Sequence, residues 1–198
     1  MDAIENLLNR FSVPAKQLDY PIPSAKELDI LFQSAATAPD HCKLRPWRFL
    51  IIEGEARYKL GEVFKEAYRR RDPSANEDAL ENYRQKPLRA PLILVAVANI
   101  QNDNPKVPEI EQVISTACAT QHIQLAAQAM GYHSIWLTGV NTRDWYVNES
   151  LGLDFDEKII AYLYIGTAQT ENPKPTRPQV ASFVSQWIEP ANFEDTVI

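Results

Sequence analysis

Apolar positions recur along this chain at helical spacing in some segments and as alternating or continuous runs in others. Ile4, Leu7 and Leu8 share one helical face behind Asp2, a residue type suited to cap a helix start, and the pattern ends near Arg10. Residues 11–23 hold Pro14, Pro21 and Pro23 and read as loop. Ser24 followed by Glu27 has the spacing of a capping box, and Leu28, Leu31, Phe32 and Ala35 carry a second helix to about Ala38. Beyond a loop bracketed by Pro39 and Pro46, residues 47–52 are β-branched and aromatic and predict a buried strand. Helices are predicted over 54–71 and 75–86, and PLILVAVAN at 91–99 is the strongest strand signal. The longest helix, 109–130, has apolar residues on more than one stripe, which predicts packing on several sides, and Gly131 closes it. A strand at 133–137, a helix at 142–151 and a strand at 158–165 follow. The order ααβααβαβαβ predicts one α+β domain over residues 1–198, with no repeats and no interdomain linker. After Thr167 the chain is polar and proline-rich, and the extended tail of about 168–198 is expected to pack on a partner subunit.

Composition narrows the chemistry. The 198 residues include only 6 glycines, where average usage gives roughly 14, against 14 prolines. No segment reads G-x-G-x-x-G or G-x-x-x-x-G-K-[ST], so the two common glycine-loop routes to nucleotides are absent. The net charge of -6 argues against a nucleic-acid surface. Cys42 and Cys118 stand alone, as suits a reducing compartment. The acidic opening MDAIENLLNRFS does not resemble a secretory leader, and the longest apolar stretch, Pro91 to Ala98, is strand-sized. A cytoplasmic protein is expected.

The usual catalytic signatures are missing. His41, His122 and His133 share no metal-ligand spacing with the cysteines, and no G-x-S-x-G elbow occurs. Cys118 reads as a buried structural thiol, Cys42 as accessible but passive, and Glu109 and Glu111 as complements to a helix dipole. No metal site and no dedicated catalytic side chain are expected. Arg10 and Ser12 flank one residue at the end of the first helix, a pair suited to a phosphate through a charged donor and a hydroxyl. An arginine facing the C-terminal end of its own helix is the plain structural alternative. The loop APDHCKLRPWRF is donor-rich and proline-braced, either a binding loop or a stiff connector.

Several segments together resemble the flavin-dependent nitroreductase family, in its short, single-domain bacterial branch. They are N-R-x-S, A-P-D-H-x(4)-P-W-R-F, K-P-L-R-A-P-L-I, K-V-P-x(2)-E-Q, Q-L-A-A-x-A-x-G-Y-x-S-I-W-x-T-G and Y-I-G-T, in order from about Asp2 to Thr167. The resemblance implies an α+β nitroreductase-like fold, with a mostly antiparallel central sheet flanked by helices. It also implies an intertwined homodimer with FMN at the interface. The implied reaction is ping-pong: NAD(P)H as reductant and a nitroaromatic, quinone or similar electron-poor small molecule as acceptor. In such proteins the flavin does the hard chemistry and the chain supplies position and polarity.

Residue by residue, the resemblance puts Arg10, Phe11 and Ser12 on the FMN phosphate and ribityl chain, with Phe11 where relatives have a second arginine. Thr37 and His41 match positions that reach the flavin, His41 from the other subunit; Thr37 stands in place of an arginine. Trp136, Leu137 and Thr138 match the strand end beside the flavin ring, and Leu137 again replaces an arginine. Arg177 falls where longer relatives place a basic residue on the phosphate. Arg45 replaces a frequent glutamine, and His133 replaces a small residue near the ring. The missing arginines predict FMN binding weaker than is usual for the family, with Arg45 and Arg177 as the residues able to compensate. Two other readings are compatible with the sequence: a flavin-binding or regulatory module with little turnover, and a helical interaction protein without cofactor.

Overall fold

Every residue from Leu92 to Ala98 is buried, because this strand is covered on both faces. The computed structural model describes residues 2–170 and 176–188. In chain order the elements are α1 (Ala3–Asn9), β1 (Leu18–Asp19), α2 (Ala25–Ala35), β2 (Trp47–Glu53), α3 (Glu55–Arg71) and α4 (Glu77–Arg84). They continue with β3 (Leu92–Asn99), α5 (Glu109–Ala129), β4 (His133–Leu137), α6 (Trp145–Ser150) and β5 (Glu157–Ala168). All strand pairings among the described residues are antiparallel. The order runs β2–β3–β5, and the outer side of β5 carries β4 along residues 162–166 and β1 along 167–168.

The period of two along the strands sorts side chains onto two faces. Ile93, Val95 and Val97 of β3, with Tyr162 and Tyr164 of β5, pack with Leu60, Phe64 and Ala67 of α3. Leu92 and Leu94, with Leu163 and Ile165, pack with Leu31 and Ala35 of α2 and Ala119, Ile123 and Ala127 of α5. The result is an α+β sheet flanked by helices on both faces, as expected.

Local sequence explains the helix ends. Asp2 accepts the Glu5 amide at 2.9 Å, and Ser24 and Glu27 satisfy each other's backbone donors in a capping box. Met130 closes α5, and Gly131 follows with φ +89, a left-handed position that glycine tolerates without strain.

Four expectations change. β2 is an edge strand with most positions half-exposed, not a buried one. The segment predicted as loop contains β1, which docks on β5. The inner face of α5 is mixed: beside Ala119, Ile123 and Ala127, the polar Gln112, Thr116, Thr120 and Gln124 are buried and hydrogen-bonded, Thr116 to the Pro46 carbonyl at 2.8 Å and Gln124 to Ser134 at 3.1 Å. Ile110 and Ile114 on its other side are 62% and 53% exposed. Cys118 is half-buried rather than buried. On α1, Asn6 makes the attachment, donating to Leu125 O at 2.9 Å and accepting from Gln128 at 2.9 Å, while Ile4, Leu7 and Leu8 face outward. The part of the predicted tail at 171–175 and 189–198 lies outside the described residues.

Candidate functional site

β4 organises the site. Its start is flanked by the segment after α1, held by the Val13 amide donating to Ser134 O at 3.1 Å. Here Arg10 is half-buried, Ser12 exposed, and Phe11 packs against His133 with ring centroids 5.9 Å apart. Arg177 donates to the Arg10 carbonyl, which joins the tail to this cluster. His133 Nδ1 is buried with no hydrogen-bond partner among the described residues, and burial pulls the imidazole pKa down. The end of β4 lies about 13 Å further along, by the rise of four strand residues.

At that end a cleft of about 400 Å³ opens on the same sheet face. Trp136, Leu137 and Thr138 form one wall, and Gly139, at φ +76, turns the chain over it. Phe64, Tyr162 and Tyr164 form the floor, and Lys86 and Arg89 the cationic rim. The Trp136 ring also packs against the layer of α2 and α5. Burial pushes both tyrosine hydroxyls far above their ordinary pKa, so they stay neutral. Lys86 sits 3.2 Å above the Tyr83 ring centroid. Burial, with like-charge repulsion from Arg89 and Arg71 added, brings the Lys86 ammonium down to about 8. Among the described residues neither Lys86 nor Arg89 has a carboxylate partner; Arg89 reaches only Asn82 at 3.4 Å. A half-buried cation pair without a counter-ion favours an anionic or electron-rich ligand.

Thr37 and His41 both lie against α5, at His122 and Glu111, points about 16 Å apart along it. Thr37 Oγ1 donates to Ser34 O at 2.7 Å and meets His122 Nδ1 at 3.0 Å, and His41 Nδ1 lies 2.7 Å from Glu111 Oε2. The loop bearing His41 is held by Asp40, whose carboxylate accepts the Leu44 and Arg45 amides at 3.0 and 2.8 Å. That grip keeps Cys42, Lys43 and Arg45 at φ 60, 55 and 51, left-handed values that cost non-glycine residues of order 1 kcal/mol each. The structure therefore gathers Arg10, Phe11, Ser12 and Arg177 at one end of β4 and Trp136, Leu137 and Thr138 at the other. Thr37 and His41 lie apart from both ends, along α5, and Arg45 stands on the loop after His41. Among the described residues no group of three His, Cys, Asp or Glu side chains is placed to hold a metal ion.

Sequence reasoning missed Lys86 and Arg89. Both stand in the quoted segment K-P-L-R-A-P, where two basic residues precede a buried strand. Their role depends on how the turn between α4 and β3 folds, which no local pattern states.

The site is thus elongated, basic and aromatic, and runs along one strand of an antiparallel sheet covered by helices on both faces. The family model described as the nitroreductase family matches residues 7–167, and the chain belongs to that family and is an oxidoreductase. It is 38% identical over 169 residues to a protein of Escherichia coli (strain K12) named "Putative NAD(P)H nitroreductase YdjA", covering 85% of this chain and 90% of that protein. A Haemophilus influenzae relative named "Putative NAD(P)H nitroreductase" is 36% identical over 177 residues, covering 89% of this chain and 94% of that protein. The fold matches a nitroreductase-like protein of Bacillus cereus with a TM-score of 0.79 at 21% identity, over 94% of this chain and 96% of that one. It also matches a Bacteroides fragilis nitroreductase with bound FMN, with a TM-score of 0.70 at 18% identity, over 94% and 100%.

Proposed function

We propose that this chain is an FMN-dependent NAD(P)H oxidoreductase. In this reading it is a single-domain cytoplasmic homodimer that reduces nitroaromatic, quinone or similar electron-poor small molecules by a ping-pong mechanism. The observation that carries the proposal is the cationic, aromatic-walled cleft at the end of β4, in line with the Arg10 cluster at its start. The names of the relatives and the FMN in the Bacteroides fragilis neighbour support it. The residues fit the cofactor's shape and charge. Arg10, Ser12 and Arg177 would take the phosphate, with Phe11 contributing backbone, and Trp136 to Thr138 would lie beside the ring. Thr37 and His41 would reach the partner's cleft across the dimer, through the outward faces of α1 and α5.

Bound FMN supplies the redox chemistry, accepting a hydride and passing on two electrons. The chain's own residues set the conditions. Lys86 holds a proton on Nζ at neutral pH and, with Arg89, lowers the cost of negative charge gathering at the cleft. Leu137, Phe64 and Tyr164 keep water from its floor.

The visible spectrum tests the proposal. The expected protein is yellow as purified and bleaches on anaerobic addition of NADPH or NADH. A yellow protein that stays oxidised favours a flavin-binding module, and a colourless one that takes up no FMN overturns the reading. Arg10→Ala should weaken FMN binding roughly 10- to 100-fold, the loss of about 1.5–3 kcal/mol of charge-assisted bonding, with the apo melting temperature unmoved. Equal affinity in calorimetric titration would remove the phosphate assignment.

A further inference from the structure

A second cavity, of about 310 Å³, opens beside the cleft, and Val140 walls both. It lies between the end of α3 and the start of α6. Trp145 stands there 65% exposed, an indole face left in water. Tyr146 meets it edge-on with centroids 6.0 Å apart, and the Arg70 guanidinium lies 3.9 Å from the Tyr146 centroid and 5.7 Å from that of Trp145. The cavity lining carries Arg70, Arg71 and Arg143 against the one carboxylate of Asp144, three positive charges to one negative on a chain whose net charge is -6.

The three arginines are not equivalent. Arg71 is committed to Asp144 and to Asn141 Oδ1, the latter at 2.9 Å. Arg70 donates through Nε alone, to Glu66 at 2.9 Å, which leaves its terminal nitrogens for a ligand. The exposed Arg143 side chain makes no hydrogen bond or ion pair with the described residues. A flat aromatic surface beside two guanidinium groups with spare donors suits a ligand that joins a heteroaromatic ring to a phosphate.

Resting on the reductant reading above, we propose that this cavity takes the adenosine 2′-phosphate end of NADPH. The adenine stacks on Trp145, and Arg143 with the free end of Arg70 grips the 2′-phosphate. Val140 lines both cavities, so the nicotinamide end of the same molecule points toward the cleft that would hold the flavin ring. NADPH is therefore preferred over NADH, by a device that uses no glycine-rich turn.

Calorimetric titration of the purified protein with 2′,5′-ADP and with 5′-ADP reads the site without turnover. The expected result is binding of 2′,5′-ADP at least tenfold tighter, with the difference abolished in Arg143→Gln, an exposed position whose change leaves no buried partner behind. Trp145→Leu should weaken both ligands. Equal affinities, or a preference that survives Arg143→Gln, overturn the proposal. The anaerobic bleaching assay separates the two readings. If the 2′,5′-ADP preference and its Arg143 dependence hold but neither nicotinamide bleaches the protein, the phosphate site stands and the reductant reading falls. If both nicotinamides bleach it equally and 2′,5′-ADP shows no preference, the reductant reading stands and this inference falls.

Discussion

The Glu157 carboxylate accepts two hydrogen bonds from Arg48, one of them at 2.6 Å, and a third from the Asp154 amide at 3.0 Å, with its side chain almost wholly buried. The hydrogen bonds from Arg48 hold its carboxyl below the usual pKa, against the opposing effect of burial. The sign follows directly. A depressed folded-state pKa adds stability that is complete above the unfolded value of about 4.3 and is lost as pH falls through the folded value. Glu157→Gln removes the charge partner of a guanidinium that is 35% exposed and keeps its bond to the Gly152 carbonyl at 3.2 Å, and should cost about 1.5–3 kcal/mol in chemical denaturation at pH 7. The loss should shrink below pH 4, and a constant loss down to pH 2 would contradict the pairing. Single residues were unevenly legible. Arg10 and Ser12 stand out because charge and hydroxyl lie one residue apart in sequence. Lys86 and Arg89 do not, since their isolation from any carboxylate exists only after α4, β3 and β4 come together.

Among elements, α3 and α4 approach so closely at Gly61 that a Cβ there would lie 2.5 Å from the backbone oxygen of Arg84. Gly61→Ala would gain roughly 1 kcal/mol of helix propensity and lose more by pushing α4 away, since a backbone carbonyl cannot rotate clear. The expected net loss of about 1–2 kcal/mol would lower the melting temperature by several degrees. An increase would mean that α4 yields freely. Helices were legible because caps and period are local signals: Asp2, Ser24 with Glu27, and Gly131 mark their ends within a residue or two. β1 was not, because a two-residue pairing has no period and is specified by its partner. Nor was the edge position of β2, whose apolar composition matches that of a buried strand.

At the scale of the whole molecule, α1 turns Ile4, Leu7 and Leu8 outward at 64%, 51% and 70% exposure, and α5 does the same with Ile110 and Ile114. The proposed dimer would cover these exposed apolar side chains. Leu7→Glu should convert the expected dimer to a monomer by light scattering at micromolar concentration and lower FMN retention with it, since Thr37 and His41 would no longer reach a partner. A variant that remains dimeric would place the interface elsewhere. The periodicity of α5 was legible, but its orientation was not. Its apolar residues predicted packing on several sides, yet Ile110 and Ile114 stay exposed, and Gln112, Thr116, Thr120 and Gln124 turn inward beside Ala119, Ile123 and Ala127, each with a hydrogen-bond partner.

The sheet also sets an order of amide protection. β3 and β5 pair from Leu92↔Ile165 to Asn99↔Glu157 under cover on both faces, whereas β4 hangs from β5 by a five-residue ladder at its outer side. Exchange with heavy water should therefore reach the loop from Asp40 to Arg45 first, β4 later, and β3 with the centre of β5 only on global unfolding. Both ends of the candidate site belong to the middle rank, so a cofactor or substrate can enter through local breathing while the buried strand pair stays closed.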